Sequence, residues 1–384
     1  MIKEQIKYTF NDLQIEPDSI SLISHREECE VTLCNENGEM TLPLFTAPMS
    51  TVVSLENAEI FKKNLINPII PRNVDFSKRM EYMEKTNGWA AFSLSEFEDA
   101  FVKKNNIEKY ENINKFHVLI DIANGHMSKL YSLCEKAKDN FPNLRLMVGN
   151  IANPNTYKYC CMEEIDYVRV GIGTGMGCLT ATQTAVSYPQ ASLINDTYEI
   201  KKYLEKNSNY NNFPYIVSDG GIRGYSDIIK ALALGADYVM CGSIFSKMLE
   251  SSGQIYANGF PVKLVDGKLK HYSSSESSTD GIRNHYELPL GNIKKLLDDK
   301  ILTKTYYGMS TKQAQLETGR TKLHTSEGTF KELPIEYTMS QWCDNFKDYL
   351  RSAMSYCGFI HLKDFIGGPS LNPITENAYN SINK

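Results

Sequence analysis

The 384-residue chain has no apolar run long enough to span a bilayer, and its opening, MIKEQIKYTF, has no apolar stretch of the kind that marks a secretory leader. No membrane partner is therefore expected, and the cytoplasm is the expected compartment. A basic excess is missing too. Lys and Arg number 41 against 46 Asp and Glu, the net charge is -5, and no stripe interleaves cations with aromatic residues, so no nucleic-acid partner is expected. The nine cysteines include no CxxC pair and no His at metal-ligand spacing, which argues against a disulfide framework and a zinc site. Most of them read as small buried thiols. No internal repeat or low-complexity domain is visible. With 42% hydrophobic and 23% charged residues, the chain reads as a soluble globular protein able to bury a large core.

Between Pro43 and Ser243 short apolar runs recur, each followed by a polar or glycine turn and then by helical periodicity. They are PLFTAPM (Pro43 to Met49), NPIIP (Asn67 to Pro71), WAAFSL (Trp89 to Leu94), HVLIDI (His117 to Ile122), RLMVGN (Arg145 to Asn150), YVRVG (Tyr167 to Gly171), YIVSDGG (Tyr215 to Gly221) and DYVMCGS (Asp237 to Ser243). Nearly unbroken apolar strands spaced by helices are what a parallel sheet covered on its outer face requires. Eight such units predict an α/β fold of the (β/α)8 TIM-barrel type, with reactive residues at the C-terminal strand ends; an open doubly wound sheet is the alternative. Helices are expected at Met127 to Phe141 and at Ser226 to Ala236, the latter with Ser226 as its cap and Gly235 at its end. After Ser243 the pattern changes. The serine-rich KHYSSSESSTDGIRNHYE (Lys270 to Glu287) reads as part of a surface insertion over residues 265–300, and LGNIKKLLDDKIL as a short helix. No second core with its own strand pattern is visible, so residues 1–384 are expected to form one domain with a mobile flap at 301–335 and a C-terminal extension.

The segment VGIGTGMGCLT (Val170 to Thr180) follows one of the strands and places Gly171, Gly173 and Gly175 ahead of Cys178. Glycines there open backbone conformations denied to other residues and allow close approach to a ligand. Alone, the motif also fits a tight turn with a packed thiol.

Taken with DIANGH (Asp121 to His126), YIVSDGGIRGYSDIIKALALGADYVMCGSIF (Tyr215 to Phe245) and TYYGMST (Thr305 to Thr311), this segment closely resembles the IMP dehydrogenase and GMP reductase family. The resemblance runs from about Phe45 to the end of the chain, apart from the serine-rich insertion, and implies a (β/α)8 barrel. It implies that Cys178 is the nucleophile that attacks purine C2, with Thr180 aiding proton transfer and Glu327 acting near the base. Asp219 would accept hydrogen bonds from the ribose hydroxyls, and Gly221, Gly242 and Ser243 would cradle the phosphate. Met49, Tyr306, Gly308, Met309 and Ser310 would complete the substrate site along the base. Asp121, Asn124 and Gly125 would face a nicotinamide cofactor, while Gly173, Gly175 and the Cys178 carbonyl would bind a monovalent cation such as K+. A purine nucleoside monophosphate is the implied substrate, and a homotetramer the implied assembly. Read singly, Asp219 and Ser243 also fit helix caps and Met309 a core residue.

The sequence departs from the family pattern at Met176, Leu179 and Ala181 in the cysteine loop, and at Ala47 and Ser50 in APMST. Both branches of the family share the covalent step. The dehydrogenase then needs water activated by an arginine-tyrosine pair on the flap, whereas here QAQLETGRTKLHT has Arg320 followed by threonine. SYPQASLI, IVSDGG, YYGMST and TSEGTFKELP also lean toward the reductase, and no block the size of a CBS-module pair interrupts the strand pattern. ALALGADYVMCGS and RSAMSYCGF lean toward the dehydrogenase. The resemblance thus implies an NADPH-dependent GMP reductase first, an NAD-dependent IMP dehydrogenase second, and a purine nucleotide-binding module without turnover third. An unrelated flavin or phosphate-binding barrel would have no use for the thiol.

Overall fold

The computed structural model describes residues 5–35, 37–107, 110, 115–265, 268–271, 297, 299, 301–308, 311–317, 325 and 328–382. Each of the eight apolar runs contains a strand: β1 (Leu44–Thr46), β2 (Ile69–Ile70), β3 (Trp89–Phe92), β4 (His117–Ile120), β5 (Arg145–Ile151), β6 (Tyr167–Val170), β7 (Tyr215–Asp219) and β8 (Tyr238–Cys241). From β2 to β8 each strand pairs in parallel with its sequence neighbours, and β8 returns to β1. The remaining seam is closed by a parallel bridge between Phe45 and Asn67, so the sheet forms the α/β TIM barrel rather than an open doubly wound sheet.

Side-chain alternation divides the barrel interior along its axis. At the N-terminal end, Phe45 meets Trp89 and Tyr167 edge to face, with ring centroids 5.9 and 5.8 Å apart, and Tyr238 closes the group at 5.1 Å. Edge-to-face contact suits the ring quadrupoles and fills this end with apolar volume. Toward the C-terminal end the inward positions become polar: two residues after Tyr167 stands Arg169, and two further on Gly171. Outside, helices including Ser128–Asn140, Gln190–Asn207 and Tyr225–Ala233 cover the sheet through one extended apolar cluster.

The helix expected to begin with a Ser226 cap starts one residue earlier, at Tyr225, and has no side-chain cap at its Gly224 N-cap position. Asp227, inside the first turn, accepts the Arg223 amide at 2.8 Å and so ties the chain ahead of the helix to its N-terminal end.

The expectation of no second strand pattern also needs correction. Five antiparallel strands, β9 (Ile255–Ala257), β10 (Phe260–Val265), β11 (Lys268–His271), β12 (Leu302–Tyr307) and β13 (Phe330–Pro334), form a separate flap sheet in the order β11-β10-β9-β12-β13. Leu249, Ile255, Val262, Leu269, Leu302 and Ile335 form its small buried cluster. The short, polar-flanked strands and the long sequence gap between β11 and β12 hid the pattern. Most of the serine-rich segment and of the predicted helix at 290–302 lies outside the described residues. The C-terminal extension carries the helix Met339–Tyr356 and a strand, Leu371–Pro373, that pairs antiparallel with Leu13–Ile15 near the other terminus.

Candidate active site

The loop after β6 begins with Gly171 at φ +144°, where a Cβ would stand 2.0 Å from the Asp219 carbonyl oxygen. Gly173 follows at φ +79°. These two positions require glycine. Gly175 does not: its φ is not positive, and a Cβ there would meet only the Cys178 Cβ, at an ordinary 3.7 Å. The turn ends with the Cys178 amide donating to the Gly175 carbonyl at 3.0 Å. Cys178 is half-buried, and its thiol makes a hydrogen bond at 3.3 Å with Thr180 Oγ1 at the start of the helix Thr180–Thr184. Seven of the other eight thiols are buried and Cys34 is exposed; all nine are free.

The thiol opens on a cleft of about 200 Å³, partly open to solvent, at the C-terminal ends of the barrel strands. Strand ends of a barrel are where small-molecule sites form. Met49, Asp219, Gly221, Gly242, Ser243, Tyr306 and Gly308 line it beside Gly173, Gly175 and Cys178, so most of the expected substrate, cation and nucleophile positions converge. Met309, Ser310 and Glu327 lie outside the described residues, as does Arg320. The Gly221 amide already donates to the Thr174 carbonyl at 3.0 Å, and Gly242 and Ser243 stand at the start of the helix Ser243–Ser246.

Asp219 ends β7 with 22% of its side chain exposed. Burial raises its carboxyl above the usual range, while Arg169 and a hydrogen bond from Asn150 oppose the rise. Asn150 Nδ2 donates to Asp219 Oδ2 at 2.8 Å and to the Gly171 carbonyl at 2.7 Å. Arg169 reaches Asp219 at 3.6 Å and Asp121 at 2.9 Å, and Arg72 approaches Asp121 from the other side at 3.4 Å. Two guanidiniums and two carboxylates thus share the barrel's upper interior, each charge facing an opposite one in a poorly solvated space.

Asp121, expected on the cofactor side, belongs to this charged cluster. Asn124 is exposed and accepts the His126 amide at 3.1 Å through Oδ1; Gly125 donates its amide to the Asn150 carbonyl at 2.8 Å. The Asp121–Gly125 loop is therefore tied to β5 beside the cleft.

Tyr306 is buried against the cysteine loop. A Cβ on Gly177 would stand 3.2 Å from its ring, and one on Gly242 3.7 Å from its hydroxyl. Burial, with a smaller push from the nearby Asp219 carboxylate, raises its phenol to about 12. The flap sheet grips the same loop: Gly328 bridges Cys178, the Thr329 amide donates to the Gly177 carbonyl at 3.0 Å, and Lys331 Nζ donates to the Met176 carbonyl at 3.2 Å. The departure at Met176 thus keeps its side chain outward, 40% exposed, and uses its backbone as an anchor. Ser50 Oγ, at another departure, donates to Glu317 at 3.0 Å.

Sequence reasoning missed Arg72, Asn150 and Arg169. Arg169 carried a usable signal, a charge in the middle of an apolar run on the phase shared with Tyr167 and Gly171.

A family model described as IMP dehydrogenase / GMP reductase domain matches residues 7–382. A GMP reductase of Chromobacterium violaceum is 26% identical over 327 residues, covering 82% of this chain and 97% of the relative. A GMP reductase of Staphylococcus saprophyticus is 29% identical, covering 70% and 78%. An inosine-5'-monophosphate dehydrogenase of Borreliella burgdorferi is 26% identical over 407 residues, covering 93% and 91%. With a strand-end cysteine cleft on a closed barrel and a domain match along almost its whole length, the chain belongs to the IMP dehydrogenase / GMP reductase family.

Proposed function

We propose that the protein is a GMP reductase that converts GMP to IMP and ammonia with NADPH, through a covalent bond between Cys178 and purine C2. The observation that supports this best is the half-buried Cys178 thiol, bonded to Thr180 Oγ1 and opening on a cleft that also holds Asp219, Gly242 and Ser243. In this reading the Cys178 thiolate attacks C2 and Thr180 relays a proton toward the exocyclic amine, which leaves as ammonia. Asp219, held by Asn150 and Arg169, accepts the ribose hydroxyls, while Gly242 and Ser243 meet the phosphate. NADPH, when bound, would supply a hydride to C2, and Cys178 would leave with the C–S electron pair. The loop of Asp121, Asn124 and Gly125 borders the space the nicotinamide would use. Met309, Ser310 and Glu327 stay in the proposal as the base-facing positions.

Carbonyls of Gly173, Gly175 and Cys178 would hold K+, a cation suited to neutral oxygen donors. The Gly175 carbonyl already accepts the Cys178 amide, and a carbonyl oxygen has a second lone pair to offer. A cytoplasmic homotetramer belongs to the same reading, and sedimentation of the purified protein tests the assembly.

The second reading is an IMP dehydrogenase using NAD and water to form XMP, supported by a Borreliella burgdorferi dehydrogenase that is as similar, at 26% identity, as the Chromobacterium violaceum reductase. A paired assay separates the two. GMP with NADPH should give cofactor oxidation and ammonia, and Cys178→Ala should lower turnover by on the order of 10⁴-fold or more without loss of fold. Untouched NADPH together with XMP formation from IMP and NAD would establish the second reading instead.

A further inference from the structure

Lys304 lies in β12, two residues before Tyr306, and is wholly buried. Its ammonium donates to the carbonyls of Met248 at 2.8 Å, Leu249 at 2.9 Å and Ser251 at 2.7 Å, and to Ser251 Oγ at 2.9 Å. Three N–H groups thus serve four neutral oxygens, one bond being shared. The oxygens all belong to the turn that follows Ser243–Ser246, and Ser251 Oγ braces it by donating to the Ser246 carbonyl at 3.1 Å and the Met248 carbonyl at 2.9 Å. The nearby carboxylate, Glu250, is itself occupied in accepting the Met339 amide at 2.9 Å.

A buried ammonium is a costly way to join a strand to a turn, since an apolar side chain of similar length would fill the space without desolvating a charge. What the ammonium adds is direction. Three carbonyls and a hydroxyl of one turn accept it with β12 in its observed register. That register matters because alternate residues of a strand face opposite ways, so a slip of one position would turn Tyr306 out of the cleft. It would also shift β13, whose Lys331 and Phe330 pair with Tyr306 and Tyr307, and with it the Gly328 and Thr329 contacts to the cysteine loop.

We propose that Lys304 is a positioning residue: it fixes the register of the flap sheet on the barrel and thereby sets the exposure of Cys178 and the placement of Tyr306. The catalytic part of the claim rests on the reading of Cys178 as the reacting thiol; the structural part does not.

The test uses the full chain with Lys304→Ala, which removes a propylammonium group and leaves its oxygen cradle. Two quantities are read: the rate of Cys178 alkylation by iodoacetamide, resolved by peptide mass spectrometry, and the KM and kcat for GMP. Alkylation should quicken by about tenfold, as expected when buried acceptors lose their donor, with KM rising more than kcat falls. Added n-propylammonium should reverse both effects, and tetramethylammonium at equal ionic strength should reverse neither. Wild-type alkylation in the variant, or equal rescue by the two cations, overturns the proposal. Should Lys304→Ala fail to fold, Ser251→Ala keeps the ammonium and removes one acceptor; unchanged alkylation there overturns the proposal equally. If the wild-type protein turns over neither GMP nor IMP, the functional reading fails while the alkylation comparison still decides the role of Lys304.

Discussion

The barrel and the flap sheet meet at the same cleft but hold their shapes by different means. The barrel is sealed by two apolar layers, one inside the strands and one beneath the helices, and its polar interior groups face each other in pairs. The flap sheet has one small apolar cluster, and it reaches the barrel through a buried lysine, a tyrosine and the contacts of Gly328, Thr329 and Lys331 with the cysteine loop. A small antiparallel sheet with so little buried area is marginal alone. The barrel can therefore keep the thiol's half of the site in place unaided, whereas the flap's half depends on its anchors.

The most damaging way to probe this contrast is Phe45→Ala, which empties the centre of the inner aromatic group. It should lower the free energy of unfolding by about 3–5 kcal/mol, measured by urea denaturation. A loss below about 1 kcal/mol would mean that the inner layer does not carry the barrel.

Arg169→Met should cost about 3 kcal/mol at neutral pH, because Asp121 and Asp219 lose a buried counter-charge. The pH dependence sharpens the point. The Asp219 carboxyl is already raised above its unfolded value, so the contribution this group makes to stability is present at acid pH and lost as pH climbs through the folded pKa. Without Arg169 the carboxyl rises further and that window widens, so the variant's deficit should shrink on acidification toward about pH 4 to 5. A deficit independent of pH would contradict this account of the cluster.

Leu302→Ala should have the smallest effect on global unfolding. It removes a buried side chain from the flap cluster, and the consequence should be local opening: faster hydrogen exchange in β9 to β13 and earlier tryptic cleavage after Lys331, with the main unfolding midpoint almost unmoved. A drop in midpoint matching that of Phe45→Ala would erase the distinction between the two regions.

The same contrast explains what could be read before the structure. Barrel strands such as HVLI and YVMC are apolar on both faces because both are buried, so each stands out as a run with helical stretches between. The flap strands bury one face, and β12 and β13 include Lys304, Lys331 and Glu332, which interrupt the apolar signal. In the candidate site, Cys178, Thr180, Asp219 and Ser243 are singled out by the local motifs they stand in. Asn150 and Arg169 act across strands, on Asp219 and Gly171, and the closed barrel is what brings those positions together. Gly175 shows the opposite error, a glycine in a glycine-rich turn whose backbone does not require one.

The two thiols not sealed in the interior stand at opposite mouths of the cylinder: Cys178 above the cleft, and Cys34 in the Leu33–Thr41 hairpin that borders the aromatic end. With the other seven walled off, the natural chain already carries two addressable handles along its own axis. A spectroscopic pair attached there would span the barrel from end to end without a single engineered residue.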